Sequence, residues 1–143
     1  MNKNTIILII LPISIIILGI VLNFPELLMG SPASIKNLIV TIVFFTVWIL
    51  ILGICFKAMN RKIMLCYSAF WIFTLIIATL TFYIRISEIT LPEVIPLITL
   101  FLTQWYGTNY FVDSQLTTSI WVSFISLTMF IVTIISSIKW KQV

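Results

Sequence analysis

Three of the four acidic residues of this chain lie in one stretch that runs from Arg85 to Asp113. The acids are Glu88, Glu93 and Asp113, and carboxylates beside an arginine can bind a cation, a cationic peptide or a lipid headgroup. A catalytic pair would need two carboxylates held a few ångström apart with perturbed pKa values, which nothing in the sequence indicates. The acids are equally consistent with a solvated loop, so the stretch is a candidate binding region.

The same stretch contains a polar and aromatic run from Gln104 to Phe111. Tryptophan and tyrosine rings are favoured at the headgroup depth of a membrane, where we expect Trp105, Tyr106 and Tyr110. The predicted binding residues combine charged, amide and aromatic side chains: Arg85, Glu88, Glu93, Gln104, Trp105, Tyr106, Asn109, Tyr110 and Asp113.

A stripe of small hydroxyl residues follows near the end of the chain, at spacings of 4, 3, 7 and 4: Ser119, Ser123, Ser126, Thr133 and Ser137. These spacings place the hydroxyls on one helix face. Small residues let two helices approach closely, whereas a pore lining would require several copies of so short a chain. We favour packing, against a matching face that runs from Thr74 through Ala78 and Thr81.

The sequence contains few residues suited to catalysis, metal binding or redox chemistry. The chain has no histidine, which removes the commonest general base and metal ligand. Cys55 and Cys66 match no metal or redox spacing and are interpreted as buried apolar residues. No phosphate loop or nucleophile motif is present. We therefore predict no metal and no cofactor.

The elements that position these residues are membrane helices. The chain is 62% hydrophobic and only 8% charged, so its solvent must be lipid. The eight bases form no run, which argues against nucleic acid as a partner. We predict an all-α integral membrane protein, a single domain of four transmembrane helices with an external segment at 85–115. The predicted spans are 6–22, 37–56, 63–84 and 116–138.

The charges predict the topology. Six bases and no acid lie at the two termini and in the hairpin between the second and third spans: Lys3, Lys57, Arg61, Lys62, Lys139 and Lys141. The remaining connections carry two bases and all four acids. By the positive-inside rule both termini are cytoplasmic, in what we expect to be a bacterial cell membrane.

Two alternatives concern the number of spans. Residues 94–112 form an uncharged run that would make a fifth span, but this run contains Pro96, Gln104, Gly107 and Asn109. We therefore favour a re-entrant or interfacial segment. A cleaved signal peptide is the other alternative. The best cleavage site, at 31–33, lies about ten residues beyond the apolar run, which favours a retained first span.

Three functions are consistent with this pattern. The first is a non-enzymatic accessory, regulatory or immunity-type protein that binds a membrane or extracytoplasmic partner, either another membrane protein or further copies of itself. The second is a small transporter or channel subunit that uses the hydroxyl stripe. The third is a membrane enzyme that acts on a lipid headgroup through Arg85 and the nearby acids. We rank them in this order.

Overall fold

The structure is a computed structural model that describes residues 3–89, 91–112 and 114–139, with side chains from Thr5 onward. Most of the described residues are helical, and no strand occurs among them. The elements in chain order are α1 (Lys3–Met29), α2 (Ile35–Ala58), α3 (Arg61–Ser87), a 3-10 turn (Pro92–Val94), α4 (Ile95–Leu102), a 3-10 helix (Thr103–Tyr110) and α5 (Gln115–Lys139).

Four of these helices are long and apolar enough to cross a membrane, as predicted. The shortest of them has 24 residues, and its length of about 36 Å exceeds a hydrocarbon core of about 30 Å. By contrast, α4 has 8 residues and a length of about 12 Å. The structure thus favours four candidate spans over five.

All four spans extend beyond their predicted bounds, and the largest difference is at the end of α1. The first span was predicted to end at residue 22, with a loop from Asn23 onward, yet the helix continues through Pro25 to Met29. Asparagine favours turns when its side chain bonds to its own backbone. Here the Asn23 amide is buried and donates to Thr103, 80 residues away, so it does not compete with the helix.

A proline in α1 fixes how α1 lies against α3. Pro12 has no N–H group to donate to the carbonyl of Leu8, four residues earlier. The hydroxyl of Tyr67, near the start of α3, donates to that carbonyl instead. Because this bond joins the second turns of both helices, α1 and α3 start at the same end of the bundle.

The bundle therefore has two chemically different ends. The basic end holds the start of α3 and the ends of α2 and α5, with Lys57, Arg61, Lys62 and Lys139. The acidic end holds the end of α1, the end of α3 and the start of α5, with Glu26, Glu88 and Glu93. Asp113 and Lys141 lie outside the described residues.

Aromatic rings fill the centre of the bundle. Trp48 of α2 contacts Tyr67, Phe70 and Trp71 of α3, with ring centroids 5.1 to 5.3 Å apart. Cys55 is also buried, but Cys66 is exposed on the outer surface of α3. The interpretation of both cysteines as buried residues is therefore wrong for Cys66, which lies on the outward face of a helix surrounded by apolar residues.

Candidate functional site

The chain between α3 and α5 does not stay on the surface. Residues 91–112, here called the inserted segment, leave the acidic end, turn within the bundle and return to the start of α5. The turn, Thr103–Gly107, is buried, and Gln104 is fully shielded. Irregular backbone at this position needs partners for its polar groups, since neighbouring apolar side chains supply none.

Two buried asparagines supply part of that need. The Asn23 Nδ2 group donates to the carbonyl oxygen of Thr103 at 3.0 Å. The Asn23 Oδ1 atom accepts from Asn37 Nδ2, also at 3.0 Å. Asn37 in turn accepts from the backbone N–H of Ser34 at 2.8 Å, at the start of α2. A chain of amides thus connects the loop between α1 and α2 to the inserted segment.

Thr41 of α2 makes the second connection. Its hydroxyl donates to the carbonyl of Gln104 at 2.8 Å, and its oxygen accepts from the N–H of Gly107 at 3.1 Å. One side chain therefore satisfies two backbone groups on opposite sides of the turn. Thr41 is 5% exposed, so no solvent competes for these groups.

Two glycines create the space for the turn. A Cβ atom at Gly107 would lie 2.1 Å from the carbonyl oxygen of Asn37, a backbone atom that cannot move without shifting α2. A Cβ atom at Gly19 would lie 2.8 Å from the Cβ of Gln104. The inserted segment therefore approaches both α1 and α2 more closely than any larger residue would allow.

Trp105 lies at the deepest part of the turn. Its ring contacts Phe44 of α2 at 5.4 Å and Trp71 of α3 at 6.4 Å between centroids. Measured along the helix axes, Phe44 is about 14 Å from the start of α2, and Trp71 is about 24 Å from the end of α3. The expectation of headgroup depth therefore does not fit Trp105, because its ring belongs to the central aromatic cluster.

The returning part of the inserted segment is bound to α5 and to the loop after α1. The Thr118 hydroxyl donates to Asn109 Oδ1, and the Thr108 hydroxyl bonds to that of Thr118 at 3.1 Å. The Tyr106 hydroxyl donates to the carbonyl of Ser31. These bonds hold the returning part of the segment against α5 and the loop after α1, and a space lies between this part and the end of α3.

That space is a cavity of about 890 Å³ at the acidic end. Its walls come from the ends of α1 and α3, from α4 and from the start of α5, and most of them are apolar. Polar side chains from four elements also line it: Thr81, Arg85, Glu88, Thr99, Tyr106, Asn109, Gln115, Thr118 and Ser119. Its size is in the upper part of the range of about 300–1,000 Å³ for small-molecule sites.

The structure brings together some of the predicted binding residues and separates others. Arg85, Glu88, Tyr106 and Asn109 line the cavity. The remaining residues do not: Gln104 and Trp105 are buried in the bundle, Glu93 and Tyr110 are exposed outside its lining, and Asp113 is outside the described residues.

The backbone at Glu88 has an unusual conformation. This residue ends α3 with φ 54° and ψ 23°, in the left-handed region that favours glycine. The same region is costly for a residue with a side chain, by roughly 1–2 kcal/mol. Strained positions of this kind cluster at functional sites, and this one is at the cavity wall.

The hydroxyl stripe of α5 faces α3. Ser119, Ser126, Thr133 and Ser137 are buried, and Ser123 is half-buried. Their hydroxyls mostly donate to carbonyls of α5 itself, as Thr133 does to Met129 at 2.8 Å. Across the interface, Thr74, Ala78 and Thr81 of α3 are buried as well. This arrangement is that of helix packing through small residues.

Sequence reasoning missed the residues that hold the inserted segment: Gly19, Asn23, Asn37 and Thr41. Each interrupts an otherwise apolar sequence on the buried face of α1 or α2. A buried amide in an apolar span requires a partner, and this was the signal that could have pointed to an interior segment.

Among the described residues, no group of histidine, cysteine or acidic side chains is placed to hold a metal ion. A scan against protein-family models, a search of curated proteins and a search of solved structures each found no match.

Proposed function

We propose that this chain is a non-enzymatic membrane protein that works by binding an amphipathic membrane component in the cavity at its acidic end. The observation that carries the proposal is the cavity itself, with apolar walls and a few convergent polar groups. An apolar wall with a small number of placed polar groups is the usual composition of a ligand site. The expected role is that of an accessory, regulatory or immunity-type protein.

The charges support an orientation. The basic end carries Lys57, Arg61, Lys62 and Lys139 and, by the positive-inside rule, faces the cytoplasm. The acidic end then faces outward from the cell membrane, and both termini are cytoplasmic. In this orientation the inserted segment is re-entrant: it enters from the outer face and returns to it, with its backbone groups satisfied by protein.

Ligand binding gives a direct test. A ligand that binds only the folded protein stabilises it, by about 2.7 kcal/mol when its concentration is 100 times its Kd. The chain would be purified in mild detergent, stripped of lipid, and titrated with a bacterial polar lipid extract while thermal unfolding is followed. We expect the unfolding temperature to rise and then saturate.

A matched pair of variants locates the effect. Ile98→Trp places a larger side chain at the wall of the cavity, whereas Ile49→Trp makes the same change on the exposed surface of α2. The lipid-dependent rise should disappear in Ile98→Trp and persist in Ile49→Trp. Equal responses in the two variants would show that lipid acts on the general surface and would refute the proposal.

A further inference from the structure

The charges at the cavity specify a ligand class, and the following inference rests on the proposed function. We infer that the cavity binds a zwitterionic phospholipid carrying a primary amine, with its ammonium group at Glu88, its phosphate at Arg85 and an acyl chain along the apolar wall.

Arg85 and Glu88 supply one charge of each sign at the cavity. They are three residues apart at the end of α3, and both line the cavity. Within the described part of the chain the one ion pair joins Glu26 to Lys36, so Arg85 and Glu88 do not neutralise each other or any other described residue. Two unpaired opposite charges beside an apolar surface match a headgroup that carries both charges.

The C-terminal end of α3 adds to the preference of Glu88 for a positively charged group. The last carbonyls of α3 have no intrahelical partners, and a helix C-terminus carries partial negative charge. This field reinforces the attraction of Glu88 for an ammonium group. The left-handed backbone at Glu88 also places a carboxylate where glycine would fit with less strain.

The phosphate has further donors near Arg85. The Asn109 Oδ1 atom accepts the Thr118 hydroxyl, and among the described residues the amide N–H groups of Asn109 have no partner. Arg85 and Asn109 both line the cavity, from α3 and from the inserted segment. A phosphate between them would receive charged and neutral hydrogen bonds, the stronger from the guanidinium.

Other ligand charges fit less well. A purely anionic headgroup carries no positive charge to pair with Glu88. A cationic peptide carries no negative charge to pair with Arg85. Like charges in contact are unfavourable, and an unpaired charge near an apolar wall costs more than one in water. The zwitterionic lipid satisfies both residues at once.

Native mass spectrometry of the full chain tests this selectivity. The protein would be reconstituted in vesicles of equimolar phosphatidylethanolamine and phosphatidylglycerol, extracted in mild detergent, and analysed for retained lipid. One additional charge-assisted bond of about 1.4 kcal/mol corresponds to a tenfold difference in affinity. We expect phosphatidylethanolamine to be retained over phosphatidylglycerol by about tenfold.

Three variants assign the selectivity to residues. Glu88→Gln should reduce the preference to near parity, and Glu88→Gly should do the same while relieving the left-handed strain, which protects the fold. Arg85→Gln should lower the retention of both lipids. The control is Arg61→Gln, which removes an exposed arginine at the basic end of the same helix and should leave the preference unchanged.

Two outcomes separate this inference from the proposed function. If the chain retains a phospholipid that Ile98→Trp loses, but retains both headgroups equally, the inference is wrong and the cavity remains a lipid site. If Ile98→Trp retains as much lipid as the unmodified chain, the cavity is not the binding site and both fail. A tenfold preference that survives Glu88→Gln also overturns the inference.

Discussion

The two halves of this bundle pack by different means. Where α3 meets α5, both backbones are regular helices, and the buried hydroxyls of α5 mostly bond to carbonyls of their own helix. Where α1 and α2 meet the inserted segment, side chains of both helices bond to the backbone of the segment.

The difference follows from the backbone that each half must accommodate. A regular helix satisfies its own N–H and C=O groups, so its neighbour needs only to fit it closely. A buried turn leaves groups such as the Thr103 and Gln104 carbonyls without helical partners, and the neighbouring helices must supply them. Polar residues in α1 and α2 therefore contribute bonds, whereas those in α5 contribute mainly small size.

The largest effect is expected at Gly107. Gly107→Ala would place a Cβ atom 2.1 Å from a backbone carbonyl of α2, so either the turn or the helix must move. We expect a loss of about 3 kcal/mol or more in the free energy of unfolding, measured by SDS titration in mixed micelles. Gly53→Ala is the control, because a Cβ atom at Gly53 meets no atom of the described residues within 4 Å. Similar losses in both variants would mean that the turn does not approach α2 as described.

A pair of threonines compares the two halves directly. Thr41→Val leaves the Gln104 carbonyl and the Gly107 N–H without their partner, so we expect a loss of about 2 kcal/mol in unfolding free energy. Thr133→Val removes a hydroxyl whose bonds to described residues all lie within α5, and its cost should stay below about 0.5 kcal/mol. The same unfolding titration measures both, and equal costs would remove the distinction between the halves.

The bond from Tyr67 to Leu8 should make a smaller contribution. Tyr67→Phe leaves the Leu8 carbonyl without a partner, at a cost of about 1 kcal/mol in unfolding free energy. Pro12→Ala restores an N–H group to that carbonyl, so in the Pro12→Ala background Tyr67→Phe should cost less. A double-mutant cycle measures this coupling. Purely additive costs would contradict the assigned role of the tyrosine.

At Ser126 we expect no loss of stability. Its hydroxyl is buried between α3 and α5 and has no hydrogen-bond partner in the described part of the chain. Ser126→Ala removes this unsatisfied group at little cost in volume, so the free energy of unfolding should stay the same or rise by up to about 1 kcal/mol. A loss above 1 kcal/mol would show that the hydroxyl bonds to a group across the interface.

Local sequence patterns predicted the regular part of this fold and not the irregular part. The four spans follow from long apolar runs, and the packed faces of α3 and α5 follow from residues spaced three or four apart. The burial of the inserted segment depends instead on contacts such as that between Asn23 and Thr103, which are 80 residues apart. From sequence alone Asn23 indicated a loop, because its partner was not visible.

The central claim is that the inserted segment enters the membrane and returns to the same face. It can be tested by replacing Cys55 and Cys66 with alanine and introducing single cysteines at Glu93 and Phe111, which are exposed before and after the turn. A membrane-impermeant maleimide would be added to intact bacterial cells that express each variant. We predict that both cysteines are labelled without permeabilisation. Labelling of one position in intact cells and of the other only after permeabilisation would show that the segment crosses the membrane, and would contradict this account.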